Sequence, residues 1–367
     1  MSKHTPLHAA HERAGASFTD FAGYDMPVRY ESDLVEHHAV RDSAGMFDLS
    51  HMAEISIVGP GAAEFLDYAL SNRLSVLENH QAKYSLLLSA EGGVIDDLIV
   101  YRLSSERYLI VANAANRDAA VAALGQRTEG FDVVVSDESD DWALIAVQGP
   151  HSRAIISAAG IDLSEDLDEL RYYRMTTGTF NGEQVLIART GYTGEDGYEV
   201  YVSDANAQAL WDELDATGTN HGMRLCGLAC RDTLRLEAGM PLYGHELSLD
   251  WTPHQAGLGR AVVAKESFVG MPALEPGPTD APILVGLVGE GKRAPRAGYS
   301  VRSTAGDTIG EVTSGALSPT LGYPIAMAYI DPQHADVDTE LIVDVRGSDV
   351  RVRVQPLPFY QRKKAAS

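Results

Sequence analysis

The pattern of apolar and polar positions repeats along the chain. The run AEISIVGPGAAEFLDYAL from Ala53 reads as a strand, a Gly-Pro corner and a helix, and WALIAVQGPHSRAIISAAG from Trp142 has the same order. An extended, hairpin-like region and then a helix follow each: AKYSLLLSAEGGVIDDLIVYRLSSERYLIVANAANRDAAVAAL after the first, MTTGTFNGEQVLIARTGYTGEDGYEVYVSDANAQALWDEL after the second. In the latter helix Ala207, Leu210, Trp211 and Leu214 fall at i, i+3, i+4 and i+7, which makes one apolar stripe. The pattern predicts two related α+β modules of about 90 residues each, packed on one another.

Upstream, TDFAGYDMPVRY has glycine, proline and aromatics without a sustained period, and is expected to be loop with short extended segments. Ser32 is suited to cap a helix through Leu34, Val35, His38 and Arg41, with Gly45 as its stop. Downstream, GLACRDTLRLEAGMPLYGHEL sets Leu228, Arg231, Leu234 and Arg235 in successive helical turns ended by Gly239. From about Ala281 the period changes. ILVGLVG, GYSVRS, IGEVTSGALSP, IAMAYI, ELIVDVRG and VRVRVQPL are short strands parted by turn residues, a separate all-β domain behind the proline-dense MPALEPGPTDAP.

Charge removes one class of partner. The 367 residues carry 29 Lys plus Arg against 52 Asp plus Glu, a formal charge of -23, which repels phosphate backbones and argues against nucleic acid. An anionic substrate would need local arginines to reverse that field. No apolar run is long enough to cross a bilayer and MSKHTPLHAAHERAG lacks a signal-peptide core, so a cytoplasmic protein without a membrane partner is expected. Cys226 and Cys230 in LCGLACRD are expected on one helix face as buried thiols, with no second Cys or His pair to complete a metal set. His37 and His38, adjacent on a helix, face different ways, and no metal is expected.

Candidate chemistry concentrates in EGGVIDDLIVY, Glu91 to Tyr101. Gly92-Gly93 supplies a tight turn into an apolar strand, and strand alternation sends Asp96 and Asp97 to opposite sides, so one of them can enter a given cleft. On residues alone the pair also reads as solvated turn carboxylates. The turn GYTGEDGYE, ending at Glu199, holds a comparable place in the second module, which suggests a ligand between the two. Two near-motifs fail. GLVGEGKR has Arg293 where a phosphate loop needs a hydroxyl, and GPGAAE lacks the third glycine of a dinucleotide fingerprint.

Several stretches in order, FAGYDMPVRY, EHHAVRDSAGMFDLSHM, YSLLLSAEGGVIDDLIVY, RTGYTGEDGYE, CGLACRDTLRLEAGMPLYGHEL and TSGALSPTLGYPIAMAYI, resemble the glycine-cleavage T-protein family of aminomethyltransferases over nearly the whole chain. The resemblance implies an α+β fold of two interwoven modules, 1–52 with 140–275 and 53–139, which together form a folate-binding region over 1–275. A C-terminal β-barrel over 281–367 would complete a three-domain ring around a central folate channel. It implies transfer of the one-carbon unit of an aminomethyl group, held on the dihydrolipoyl arm of lipoylated H-protein, to tetrahydrofolate as co-substrate. The products are methylenetetrahydrofolate, ammonia and reduced H-protein, and no metal takes part.

By the same resemblance Asp96 is the catalytic carboxylate, hydrogen-bonding a folate nitrogen, N10 in this reading, while Asp97 braces the turn. Glu199 would meet the donor-rich pterin edge, with Met52, Tyr84 and Tyr192 lining its slot, Asn113 nearby, and Arg231 and Arg362 on the glutamate tail. Tyr360 is grouped with Arg362 by sequence proximity. The basic end Arg362-Lys363-Lys364 suggests a positive rim for an acidic H-protein. Tetrahydrofolate-dependent demethylases share this fold and approximate length and form the enzymatic alternative. Non-catalytic folate-binding scaffolds differ in carrying a KGC-type motif, which this chain lacks, and folate oxidases carry a preceding flavin domain for which there is no room.

Overall fold

The computed structural model describes residues 2–274 and 280–362. The second repeat builds a seven-stranded sheet in the order Asp162–Leu163, Met175–Phe180, Glu183–Ala188, Gly197–Ser203, Trp142–Gln148, Gly45–Asp48 and Arg224–Leu225. All of its pairs are antiparallel except the last. Helices Ser152–Ala158 and Ala207–Thr219 cover one face: Ile155, Ile156, Leu210, Trp211 and Leu214 share a core with Ile145, Val147, Val200 and Val202. The expected stripe at Ala207, Leu210, Trp211 and Leu214 is the buried side of its helix. Apolar alternation thus fixes which face of the sheet is left for other work.

The first repeat builds a five-stranded sheet, ordered Ala82–Leu88, Val94–Arg102, Arg107–Ala112, Ala53–Val58 and Val134–Asp137. Helix Ala62–Ala69 follows the Gly-Pro corner, with Phe65, Leu66 and Ala69 buried. Strands drawn from 45–48 and 142–225 therefore occupy one sheet, and those from 53–137 the other. Contact density draws different lines: one compact unit is Met1–Ser85 with Leu98–Arg231, the other Leu86–Asp97 with Asp232–Ser367.

Three local expectations change. TDFAGYDMPVRY holds the expected short extended segments but little loop: they pair as a hairpin, Ser17–Phe21 against Tyr24–Arg29, closed by Ala22 and Gly23, both at positive φ. Its first strand lies on the surface and shows no alternation, and Ala-Gly is not the usual signature of this two-residue turn. The helix capped by Ser32 runs Asp33–Asp42, with Val35 N donating to Ser32 Oγ at 3.4 Å, but it stops before Gly45, which opens a strand. Cys226 precedes helix Leu228–Glu237 rather than sharing it with Cys230: it follows directly on strand Arg224–Leu225, and its N–H continues that pairing to Met46 O at 2.8 Å. Neither thiol is in a disulfide, both are buried, and His37 is buried too.

The C-terminal region is a closed six-stranded barrel in the order Ile283–Gly289, Pro324–Ile330, Thr308–Leu317, Ser300–Arg302, Glu340–Asp344 and Asp349–Gln355, the last pairing back to the first. In Asp349–Gln355 the valines at 350, 352 and 354 point inward while their neighbours face water, which is the alternation that a barrel wall requires. Gly289 ends a strand that no helix follows, so the phosphate-loop likeness there is sequence only. Residues 275–279 of the proline-dense linker lie outside the described residues. No described helix is long and apolar enough to cross a membrane.

Candidate active site

In strand Gly197–Ser203, Val200 and Val202 turn to the covering helices, so alternation sends Glu199 and Tyr201 to the opposite side. Glu199 is 8 % exposed. Thr190 Oγ1 donates to its Oε2, Tyr101 Oη lies 3.0 Å from Thr190 Oγ1, and the Tyr201 hydroxyl donates to Tyr101 at 3.3 Å. Three hydroxyls in series end on one carboxylate, and each donation polarises the next. Burial pushes the Glu199 carboxyl above its ordinary range, against the pull of Thr190, the Arg231 charge and Tyr101. The outcome is a carboxylate with unspent acceptor capacity in a dry setting.

The segment from Thr190 to Gly197 is held from three sides. Gln148 Nε2 donates to Thr190 O at 3.1 Å while its Oε1 accepts from Thr193 Oγ1 at 3.0 Å. Arg41 Nη1 donates to Thr193 O at 2.7 Å and Glu195 Oε1 at 3.0 Å, and Arg189 grips Asp196 through two bonds of 2.9 and 2.7 Å. A Cβ at Gly191 or Gly197 would lie 2.0 or 2.3 Å from the Gln148 amide, so any side chain at either position must displace that amide. This frame presents Tyr192, and the Arg231 guanidinium lies over its ring, 4.8 Å from the centroid. Burial lowers the Arg231 pKa, while Tyr192 and Glu199 oppose that fall.

His51, next to Met52, is 2 % exposed and meets Phe21 edge-on at 5.4 Å. Its Nδ1 has no hydrogen-bond partner among the described residues, and burial pulls the imidazole down to about 4, with Asp48 opposing and Arg231 assisting. Met52 is half-buried, its N–H donating to Leu49 O at 2.9 Å. Tyr84 is half-buried on Ala82–Leu88, its carbonyl accepting from Asn72 Nδ2 at 3.0 Å. Asn113 is half-buried just past Arg107–Ala112, where its carbonyl accepts from Asn116 N at 2.9 Å. These six expected residues belong to the first compact unit, and the contacts above join Tyr192, Glu199 and Arg231.

Asp96, Tyr360 and Arg362 belong to the second compact unit. Ser89 N donates to Gly93 O at 2.8 Å and Val94 N to Ser248 O at 3.0 Å. A Cβ at Gly93 would lie 2.0 Å from Leu249 O, so the loop at 248–251 clamps the turn directly. Alternation divides the acidic pair as expected: Asp96 has 0 % exposure, on the side of Val94, Leu98 and Val100, whereas Asp97 is half-buried on the side of Ile99 and Tyr101. Burial raises the Tyr243 pKa, and the charges of Asp96, Asp97 and Asp250 raise it further, so this phenol stands in the field of the pair. Tyr360 is half-buried, its N–H donating to Glu237 O at 2.8 Å, and Arg362 is exposed. Lys363 and Lys364 lie outside the described residues.

Sequence reasoning missed Tyr101, Thr190, Gln148 and Tyr243. Thr190 and Tyr243 stand inside stretches already singled out, RTGYTGEDGYE and MPLYGHEL, yet nothing in their type marks them. Gln148 carries a usable signal, a lone amide ending the apolar run WALIAV directly before Gly-Pro.

Residues 7–266 match the model of the GCVT N-terminal domain, and residues 283–361 match that of the glycine cleavage T-protein C-terminal barrel domain. An aminomethyltransferase of Cutibacterium acnes is 57% identical over 98% of this chain and 99% of its own length. One from Streptomyces avermitilis is 53% identical over 99% of this chain and 98% of its own. The crystal structure of the glycine cleavage system aminomethyltransferase T from Bartonella henselae superposes with a TM-score of 0.91 at 37% identity, covering 98% of this chain and 99% of that one.

Proposed function

The chain belongs to the glycine cleavage T-protein family and is an aminomethyltransferase, and we propose that it passes the one-carbon unit of an aminomethyl group on lipoylated H-protein to tetrahydrofolate. The folate half of this reading is carried by Glu199: a buried carboxylate with a raised pKa, fed by three hydroxyls and flanked by Arg231 over Tyr192. A pterin offers what such a group lacks, a row of N–H donors on a flat ring. Met52, Tyr84 and Tyr192 supply apolar and aromatic walls to the slot, and Asn113 a polar contact. Arg231 and Arg362, with Tyr360 close by Arg362 in sequence, serve the glutamate tail, where guanidinium forks match carboxylates.

In the second half of the reaction one folate nitrogen takes the carbon as the carbon–sulfur bond to the dihydrolipoyl arm breaks, its proton restoring the thiol. In the first half the other folate nitrogen attacks the methylene carbon, the carbon–nitrogen bond to ammonia breaks, and that folate nitrogen gives up its proton to the departing amine. The acidic pair at 96 and 97 supplies the carboxylate that holds that proton. Asp96 is the residue to which the family likeness assigns the role. Its complete burial favours a second reading, in which the half-buried Asp97 meets folate and Asp96 braces the strand.

The test is ammonia release from aminomethyl-loaded, lipoylated H-protein, with and without tetrahydrofolate, for wild type, Asp96→Asn and Asp97→Asn. Wild type should release ammonia in a folate-dependent way. The variant lacking the substrate-facing carboxylate should lose roughly 10²- to 10⁴-fold in turnover with folate affinity held within a few-fold. The other should be much milder. Equal losses would sink both assignments, and folate-independent release by wild type would sink the function.

A further inference from the structure

The N-terminal segment holds a group of ligating side chains that aminomethyl transfer does not use. Lys3 runs parallel to Tyr24, with Lys3 N donating to Gly23 O at 2.7 Å and Asp25 N to Lys3 O at 2.9 Å. That pairing fixes His4 beside Asp25. One turn later His8 opens the short helix His8–Arg13, and its ring stacks on His4 with centroids 3.7 Å apart and planes 9° from parallel. One donor atom from each of His4, His8 and Asp25 lies within 4.8 Å of the other two.

We propose that His4, His8 and Asp25 form a binding site for a divalent first-row metal ion of the zinc type, which fastens the N-terminal segment to the hairpin at Tyr24–Arg29. The donor chemistry selects the class. Two imidazoles and one carboxylate suit zinc and its neighbours, whereas calcium and magnesium take oxygen ligands almost exclusively. Three protein ligands leave a position for water.

A second observation points the same way. His8 Nδ1 is buried without a hydrogen-bond partner among the described residues, while Nε2 has Glu12 Oε1 3.8 Å away. Phe18 packs beside the His8 ring at 4.9 Å, so this imidazole is held in place, while His4 is exposed and can turn. It must do so. Parallel stacked rings cannot aim two in-plane lone pairs at one ion, and binding therefore rotates the His4 ring out of the stack. The sequence reading weighed only the cysteine pair and His37-His38; His4, His8 and Asp25 meet only through the pairing of Lys3 with Tyr24.

Zinc chloride titrated calorimetrically into chelator-stripped full-length protein tests the site, with His4→Ala, His8→Phe and Asp25→Asn alongside wild type. Phenylalanine keeps the packing against Phe18 and removes only the nitrogens. Wild type should bind one equivalent whose affinity falls at least about 10-fold in each variant. Its melting temperature should rise with zinc, while the variants, equal to wild type in chelator, should not respond. His4 is exposed and Asp25 half-buried, so those two variants carry the test should His8→Phe fail to fold. Equal affinity in all four proteins would assign the binding to the acidic surface and overturn the proposal, as would no one-equivalent event in wild type.

Discussion

His51 is kept neutral by its surroundings rather than by any partner. Burial pulls its folded-state pKa from 6.5 to about 4, and the nearby Arg231 charge acts in the same direction. In the unfolded chain the ring takes up a proton as pH falls through 6.5, while the folded protein resists until about 4. Between those values the unfolded state binds more protons, so stability is full above 6.5 and is lost as pH falls toward 4, by about 3 kcal/mol for this one group. Glu199 acts with the opposite sign, because its raised carboxyl pKa makes the folded state the better proton binder. His51→Phe should therefore flatten the acid limb. Urea midpoints at pH 7 and pH 4.5 should drop less in the variant than in wild type, and identical drops would show that the histidine has no such role. None of this was legible in the sequence, where Ser50-His51 is merely two polar neighbours and burial is a property of the folded environment.

The Gln148 amide is one of three holds on the segment from Thr190 to Gly197. Gly191→Ala or Gly197→Ala would drive a methyl into Gln148, which must then release Thr190 O and Thr193 Oγ1. Each should cost roughly 1–3 kcal/mol by overpacking and raise the KM for tetrahydrofolate more than it changes the KM for H-protein. Unchanged folate kinetics in a folded variant would separate this segment from folate binding. Much at this scale was readable beforehand. The helical stripe ending at Leu214 and the barrel strand Asp349–Gln355 carry a period set by one buried face, whereas Ala53–Val58, Trp142–Gln148 and Pro324–Ile330 read as continuous apolar runs because both of their faces are buried. The hairpin at Ser17–Arg29 was not readable, because an exposed strand has no buried face to impose alternation. Nor was the chain of hydroxyls at Tyr201, Tyr101 and Thr190, whose members are distant in sequence and ordinary in type.

In the second compact unit the buried ion pair of Arg235 Nη1 and Glu246 Oε2, 3.0 Å apart, ties several segments together: Arg235 also donates to Ser314 Oγ at 2.7 Å, and Glu246 Oε2 accepts from Leu242 N at 2.9 Å. Arg235→Met alone should cost about 3–5 kcal/mol, since it strands the buried Glu246 charge, whereas Glu246→Leu should cost less because Asp232 Oδ1 still pairs with Arg235 at 2.7 Å. The double variant should recover a large part of that loss, and a strictly additive double would mean that the two charges do not act as a pair. The same unit draws its pieces from far apart along the chain, Leu86–Asp97 and everything from Asp232 onward. Synthesis runs from the N-terminus, so the strand bearing the acidic pair leaves the ribosome long before Ser248, whose carbonyl receives Val94 N. Until that later stretch arrives, Val94 N lacks the Ser248 carbonyl and Gly93 lacks the Leu249 backbone that closes on it in the finished protein. The aminomethyltransferase is thus built so that its acidic turn is secured late in synthesis.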